Sequence, residues 1–146
     1  MRAALGSLLS ALWLSALLQP AALAAAGEDR VAVIVSASVA IHQLSAADVR
    51  ELFLGRKQVQ AGDIALQPVD NADKQARDLF YSGVAGMSGT RVRAYWARVV
   101  FSAQGRPPPE LSPTEVGRRV MEQPGTLGYV NAANVPAGAR VLFTFP

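Results

Sequence analysis

The most chemically loaded stretch of this chain of 146 residues runs from Asp70 to Arg77 (DNADKQAR). It separates an apolar run from a helical pattern, and the start of a helix offers free N–H groups with a partial positive charge. Lys74 and Arg77 are three residues apart, so both side chains would face one side of the first helical turns. Together with Asn71, these residues predict a binding site for a small anion.

The same stretch also has an interpretation without a ligand. Asp70 and Asp73 would themselves complement the positive end of the helix, and their negative charge would repel a bound anion. A plain capped helix and an anion site are therefore both compatible with these residues.

Hydroxyl groups at two other places could contact the same ligand. Ser36 and Ser38 follow an apolar run at residues 31–35, where side chains of an α/β sheet can face a ligand crevice. We expect them beside the anion site, although two serines in an ordinary turn have the same pattern. Residues 88–91 (SGTR) could also hold phosphate, but small residues commonly cap helices, and we predict a helix start there.

Other residue types restrict the chemistry. The chain has no cysteine and one histidine, His42, so disulfides, thiol catalysis and cysteine-based metal sites are excluded. Nothing near His42 has the pattern of a nucleophile with an orienting acid, and we predict no enzyme, no metal and no cofactor. The formal charge of +3, with both signs interspersed, predicts no nucleic-acid partner. Trp96 falls on the apolar face of its predicted helix, which places it in the core.

The elements that would position these residues include both strands and helices. Strands are predicted at residues 31–35, 64–69, 127–130 and 141–145. Helices are predicted after caps at Ser45, Asp70-Asn71, Ser88 and Thr114. This alternation predicts an α/β fold with a mainly parallel sheet of about four strands flanked by helices.

The first 26 residues have a different composition. Arg2 precedes an apolar run of about 16 residues, and small residues follow up to Ala26. The run is shorter than the roughly 20 residues that span a bilayer. Residues 1–26 are therefore predicted to be a secretory signal peptide. Residues 27–146 would form one periplasmic domain, attached to the membrane only through an uncleaved signal peptide.

Two segments resemble a known family. Residues 44–56 (LSAADVRELFLGR) are similar to the L-S/T-x-x-x-[VL]-x-x-I-F-x-G-K stretch of the phosphate-binding proteins of bacterial ABC transporters. Residues 124–130 (PGTLGYV) are similar to the P-G-A-I-G-Y-V segment of the same proteins. The resemblance covers residues 31–143 and implies a short member with a single lobe of the periplasmic-binding-protein-like fold.

The resemblance also implies a function. The domain would be a non-enzymatic solute-binding protein that binds phosphate or a similar small anion weakly, because a single lobe supplies only half of the usual contacts. Its ligand residues would be Ser36, Ser38, Asn71, Lys74 and Arg77. Its partner would be an inner-membrane transporter or another periplasmic protein. The alternative hypothesis is a protein-interaction module that has lost small-ligand binding and uses the face that a second lobe would cover.

Overall fold

The computed structural model describes residues 29–41 and 44–146. The predicted signal peptide, residues 1–26, and His42 both lie outside the described residues. Within the described part of the chain, no helix combines the length and the apolar character needed to cross a membrane.

The central element is strand β1 (Val31–Ser36), in which all six residues are buried. Its run of β-branched side chains favours a strand that is covered on both faces. Strands β7 (Thr126–Asn131) and β8 (Ala139–Phe145) flank β1, and β4 (Gln67–Pro68) pairs with the outer edge of β7. The prediction of a four-stranded sheet in an α/β fold is confirmed.

The strand directions differ from the predicted, mainly parallel sheet. β1 runs antiparallel to both β7 and β8, and only the pairing of β4 with β7 is parallel. Alternating strands and helices indicate a parallel sheet only when each helix connects two strands that lie near each other in that sheet. Here the central strand pairs instead with two strands from the C-terminal end of the chain, and long-range pairing therefore decides the directions.

The strand predicted at residues 64–69 is divided between two sheets. Its first part is β3 (Ile64–Ala65), which turns back on β2 (Gln60–Ala61), and its second part is β4 in the main sheet. The next strand, β5 (Asp70–Asn71), pairs in parallel with β6 (Glu110–Leu111). Residues 67–71 therefore run beside β7 and then beside β6.

The described residues form four α-helices and one short 3₁₀ helix at Ala132–Asn134. The α-helices are α1 (Ala46–Phe53), α2 (Lys74–Ala85), α3 (Gly89–Phe101) and α4 (Pro113–Glu122). Each begins at a side chain that accepts a hydrogen bond from the first turn. The caps of α1 and α3 are the predicted Ser45 and Ser88, whereas α4 starts at Ser112 rather than at Thr114.

The helices cover the two faces of the sheet. Val33 and Val35 of β1 pack with α1, α2 and α3, whereas Ala32 and Ile34 pack with α4. On the larger side, the ring of Phe80 stacks on the ring of Tyr129 with centroids 4.0 Å apart. Gly128 allows α4 to approach β7, because a Cβ there would lie 2.7 Å from a methyl group of Val116.

Helix α3 is only partly amphipathic. Val92 and Trp96 are buried, which confirms the predicted position of Trp96 in the core. Val100 follows Trp96 by four residues and so lies on the same side of the helix, but it is 51% exposed, and the neighbouring Phe101 is 95% exposed. The last turn of α3 extends beyond the side chains that cover its earlier turns, so its apolar residues stay in contact with solvent.

Candidate functional site

The predicted anion site lies where β5 passes into α2. The backbone N–H groups of Asp70 and Ala72 donate to carbonyls in or next to β6, which extends the strand beyond the predicted cap. Helix α2 therefore begins after Asp73, and the carboxylate of Asp73 accepts a hydrogen bond from the Ala76 N–H. A carboxylate of the chain itself thus occupies the positive end of α2.

Asn71 belongs to the framework of this junction. Its side chain is fully buried, its Nδ2 donates to the Tyr129 carbonyl, and its Oδ1 accepts from the Asp73 N–H, both at 2.9 Å. These bonds tie the end of β5 to β7 and orient the first turn of α2. Asn71 therefore shapes the start of the helix through its bonds within the protein.

Arg77 binds a buried carboxylate. Its guanidinium lies 3.1 Å from Asp70 and 3.3 Å from Glu110. Asp70 is 1% exposed, and its carboxylate also accepts hydrogen bonds from the hydroxyl groups of Tyr129 and Tyr81. The charge of Arg77 is therefore already matched by acidic groups of the protein.

The electrostatics of this cluster favour a structural role. Burial raises the pKa of Asp70, while the hydrogen bond from Tyr129 and the charge of Arg77 oppose that shift. Burial also raises the pKa of Tyr81 and of Tyr129, so both hydroxyls remain protonated donors. Burial by itself lowers the pKa of Arg77, but Asp70 and the other acidic neighbours have a larger, opposite effect, so the pKa is raised overall. Most donors and acceptors of the cluster are thus paired within the protein, although the buried Arg77 Nε has no hydrogen-bond partner among the described residues.

The two predicted serines lie at the end of the sheet's strands that is opposite to the predicted anion site. The hydroxyls of Ser36 and Ser38 are 2.8 Å apart and hydrogen-bond to each other. Because β1 is antiparallel to β7 and β4 is parallel to β7, the end of β1 points away from the end of β5. Four residues of strand separate the levels of Ser36 and Asn71, or about 13 Å. The structure therefore does not bring the serines together with Asn71, Lys74 and Arg77.

A cavity of about 960 Å³ between α2 and α3 contains the remaining predicted residue, Lys74. The Lys74 ammonium lies 2.7 Å from the carboxylate of Asp78. The same carboxylate packs on the first residue of α3, Gly89, where a Cβ would lie 2.5 Å from the Asp78 Oδ1. Arg93 donates to the Thr90 hydroxyl at 3.1 Å, and its Nη1 is 3.7 Å from the same Cβ position. We refer to this space as the α2–α3 cavity.

This arrangement holds one oxyanion among positive groups. The Asp78 carboxylate lies beside a lysine, an arginine and the positive N-terminal end of a helix of 13 residues. Glycine at position 89 leaves room for the carboxylate in this position, because a Cβ there would lie 2.5 Å from the Asp78 Oδ1 and the Asp78 side chain would have to move. The α2–α3 cavity is therefore chemically suited to a small anion, but a carboxylate of the chain competes for the place.

A second, smaller cavity lies at the carboxyl ends of β5 and β7, where ligands of α/β sheets are commonly found. It has a volume of about 320 Å³, and its polar lining consists mainly of amide side chains. They are Asn71, Gln75, Asn131 and Asn134, together with the Asp73 carboxylate. No lysine or arginine lines this cavity, and phosphate would find no cation there.

Asp78 and Arg93 are not among the residues that the sequence predicts for the site. Lys74 and Asp78 have the four-residue spacing of a helical ion pair, which is a local signal. The contact between Asp78 and Gly89 joins two helices, and no spacing rule indicates it. Within the described residues, no group of three His, Cys, Asp or Glu side chains could hold a metal ion.

Comparison with known proteins gives a likeness in structure. No protein-family model matches the chain, and no curated protein matches it in sequence. Among solved structures, the chain is similar to the X-ray crystal structure of a Clostridium perfringens protein described as a phosphate ABC transporter substrate-binding protein, with bound phosphate. The TM-score is 0.57 at 14% sequence identity, and the match covers 77% of this chain.

This likeness concerns the fold. The match covers 44% of the Clostridium perfringens chain, so the present chain spans less than half the length of that protein. Together with the observed sheet and its covering helices, the likeness confirms the predicted fold class, a single lobe of a periplasmic-binding-protein-like α/β fold. The likeness supports a distant relationship in fold.

Proposed function

We propose that this protein is an exported, non-enzymatic solute-binding domain that binds phosphate or a similar small anion weakly in the α2–α3 cavity. The observation that carries the proposal is the position of the Asp78 carboxylate, held by Lys74 and packed on Gly89 beside Arg93. A site that stabilises the oxyanion of a side chain offers the same groups to an oxyanion from solution. The fold shared with a phosphate-bound protein supports this ligand class.

Two features of the cavity make the binding weak. The ligand must displace or share the place of Asp78, and Asp73 adds a second negative charge to the lining. The described single lobe also leaves the cavity open on one side, so water screens the charges around the ligand.

The proposed location and partners follow from the predicted signal peptide. Residues 1–26 would direct residues 27–146 to the periplasm. A periplasmic domain of this fold would pass its ligand to an inner-membrane transporter or act on another periplasmic protein. Mass spectrometry of the secreted protein tests the export directly, since a mass that includes residues 1–24 contradicts cleavage.

Calorimetry of residues 27–146 against phosphate and sulfate tests the ligand. We expect a dissociation constant of about 0.1 mM, for which 1 mM phosphate adds about 1.4 kcal/mol to the free energy of unfolding. The melting temperature should then rise by roughly 4 to 7 °C. Absence of both heat and a thermal shift with either anion at about 100 times that constant would remove the proposal.

The competition by Asp78 gives a sharper test. Asp78→Asn should tighten phosphate binding about two- to fivefold, because the variant removes a charge that occupies the positive helix end. Lys74→Ala should weaken binding by a similar factor. Asp63→Asn makes the same charge change at an exposed turn outside the cavity and serves as the control. Equal effects of Asp78→Asn and Asp63→Asn would mean that only the overall charge matters.

A further inference from the structure

A groove of about 790 Å³ opens along another side of α3. One wall is a stripe of α3 with helical spacing, formed by Arg93, Trp96, Ala97 and Val100. The opposite wall is the extended segment 106–109 (RPPP), whose prolines restrict its conformations. We refer to this space as the α3–proline groove. Arg93 lies between it and the α2–α3 cavity.

Apolar side chains remain exposed at this groove. Val100 is 51% exposed on the groove wall, and the adjacent Phe101 is 95% exposed. Single exposed apolar residues are common, but Val100 lines a cavity that is also lined by Trp96 and three prolines, whereas Phe101 is not part of that lining. An exposed apolar area of this kind indicates a surface that another molecule covers.

The positive charges of the same region lack acidic partners. In the described part of the chain, none of the ion pairs includes the arginines of α3 and the following loop, Arg91, Arg93, Arg98 and Arg106. No aspartate or glutamate occurs from residue 79 to residue 109. Asp70, Arg77 and Glu110 also line the groove, but these three residues form ion pairs with one another. Arg93 and Arg106 are therefore the charged groups of the groove lining that have no ion-pair partner among the described residues.

The acidic residues of the chain are mostly engaged elsewhere. Seven of the ten described aspartates and glutamates form ion pairs, including Glu115 and Glu122 with Arg118. A second copy of the chain would thus bring few free carboxylates to the groove. The groove is also concave, which suits a narrow protein segment better than a flat membrane surface. We therefore assign the complementary charge to a different protein.

We infer that the α3–proline groove binds an acidic segment of another protein that carries an apolar anchor. The anchor enters between Trp96, Val100 and the prolines, and the carboxylates meet Arg93 and Arg106 at the rim. This inference goes beyond the proposed binding of a small anion and does not depend on it. It assigns a location to the hypothesis of a protein-interaction module.

Selection from a phage-displayed library of random peptides on residues 27–146 tests the inference. The enriched peptides should combine aspartate or glutamate with leucine or an aromatic residue, and their binding should weaken as salt is added. Arg106→Glu should reduce the affinity of a selected peptide about tenfold or more, because it reverses an exposed charge at the rim. Val100→Asp, on the apolar wall, should cause a comparable loss.

The matched control is Arg98→Glu. Arg98 is also exposed and unpaired among the described residues, and it is on the same helix but does not line the groove. Arg98→Glu should change the affinity for the peptide by no more than about twofold, whereas reversal of the rim charge in Arg106→Glu should reduce it about tenfold or more. Lys74→Ala should leave peptide binding unchanged, and Arg106→Glu should leave phosphate calorimetry unchanged, so the two proposals can fail separately.

Several results would overturn the inference. They are no enrichment of peptides, enrichment of peptides without acidic residues, and equal losses for Arg106→Glu and Arg98→Glu. Binding to phosphatidylglycerol vesicles that depends on Arg106, without any peptide binding, would assign the groove to a membrane surface instead. Displacement of a selected peptide by millimolar inorganic phosphate would assign it to a small anion.

Discussion

Arginines of two neighbouring helices have opposite surroundings in this protein. Arg77 of α2 lies against the buried Asp70 and against Glu110, and tyrosine hydroxyls complete the hydrogen bonds of the Asp70 carboxylate. Arg98 of α3 is exposed, and no described acidic residue pairs with it. The same residue type therefore stabilises the fold in one place and leaves its charge available in the other.

The difference changes where a ligand should be sought. The densest polar cluster in the sequence, around residues 70–77, is largely satisfied by its own bonds. Four arginines that form no ion pair among the described residues, Arg91, Arg93, Arg98 and Arg106, lie on α3 or in the loop after it. Arg93 of α3 lines both the α2–α3 cavity and the α3–proline groove. Helix α3 is consequently the element on which both proposals depend.

Arg77→Ala removes the arginine that pairs with Asp70 and Glu110, and it should have the largest effect. The variant leaves Asp70 buried without its cation, which costs about 3–5 kcal/mol in the free energy of unfolding. Because Asp70 can respond by binding a proton, the loss should shrink as the pH is lowered from 7 to 5. Urea denaturation at the two pH values measures both effects.

The control for this prediction is Arg98→Ala, which removes an exposed arginine without an ion-pair partner among the described residues. A surface change of this kind should alter the free energy of unfolding by no more than about 0.5 kcal/mol. If the two variants lost similar stability, the contrast between paired and unpaired arginines would be wrong. The Arg77→Ala result also bears on ligand experiments, since a loss of anion binding in that variant would reflect damage to the fold.

Tyr129→Phe tests the hydrogen bonds within the cluster and should have an intermediate effect. The variant retains the ring that stacks on Phe80 but removes a donor to the buried Asp70, at a cost of about 1–3 kcal/mol. Tyr81→Phe removes a longer bond of 3.3 Å to the same carboxylate and should cost less. Thermal melts of both variants rank the two hydroxyls, and a larger loss for Tyr81→Phe would reverse this assignment.

The smallest predicted effect concerns the titration of two aspartates. Burial raises the pKa of Asp70, whereas hydrogen bonds from Lys57 and Ser45 lower the pKa of the more accessible Asp48. Carboxyl NMR should place Asp70 above and Asp48 below the ordinary value of about 3.9. A value for Asp70 at or below that of Asp48 would mean that Arg77 outweighs burial.

The two shifts have opposite consequences for stability. A lowered pKa means that Asp48 stabilises the fold above about pH 4 and that this contribution is lost as the pH falls through the folded pKa. A raised pKa means that the contribution of Asp70 is present below about pH 4 and is lost as the pH rises through its folded pKa. Asp48→Asn should therefore lower the melting temperature at pH 7 but have less effect in acid.

Much of the fold could be predicted from local patterns, but less of the candidate site. The site prediction included Lys74 but not Asp78 or Arg93, and the structure shows that these three residues line one cavity. Asn71 and Arg77 have partners contributed by β6 and β7, whose proximity no local spacing indicates. Residues 88–91 have the pattern of a helix start and are one, but the carboxylate packed on Gly89 comes from the preceding helix.

The sequence by itself determined the features that depend on a few adjacent residues. Ser45 and Asp48 form a capping box because both hydrogen bonds join residues three apart. Residues 31–35 form a buried strand because every side chain is apolar. The tertiary structure alone decided the strand directions and the distance between Ser36 and Asn71. Those features depend on hydrogen bonds between β1 and the last two strands, about 100 residues away, and such pairing leaves no local pattern.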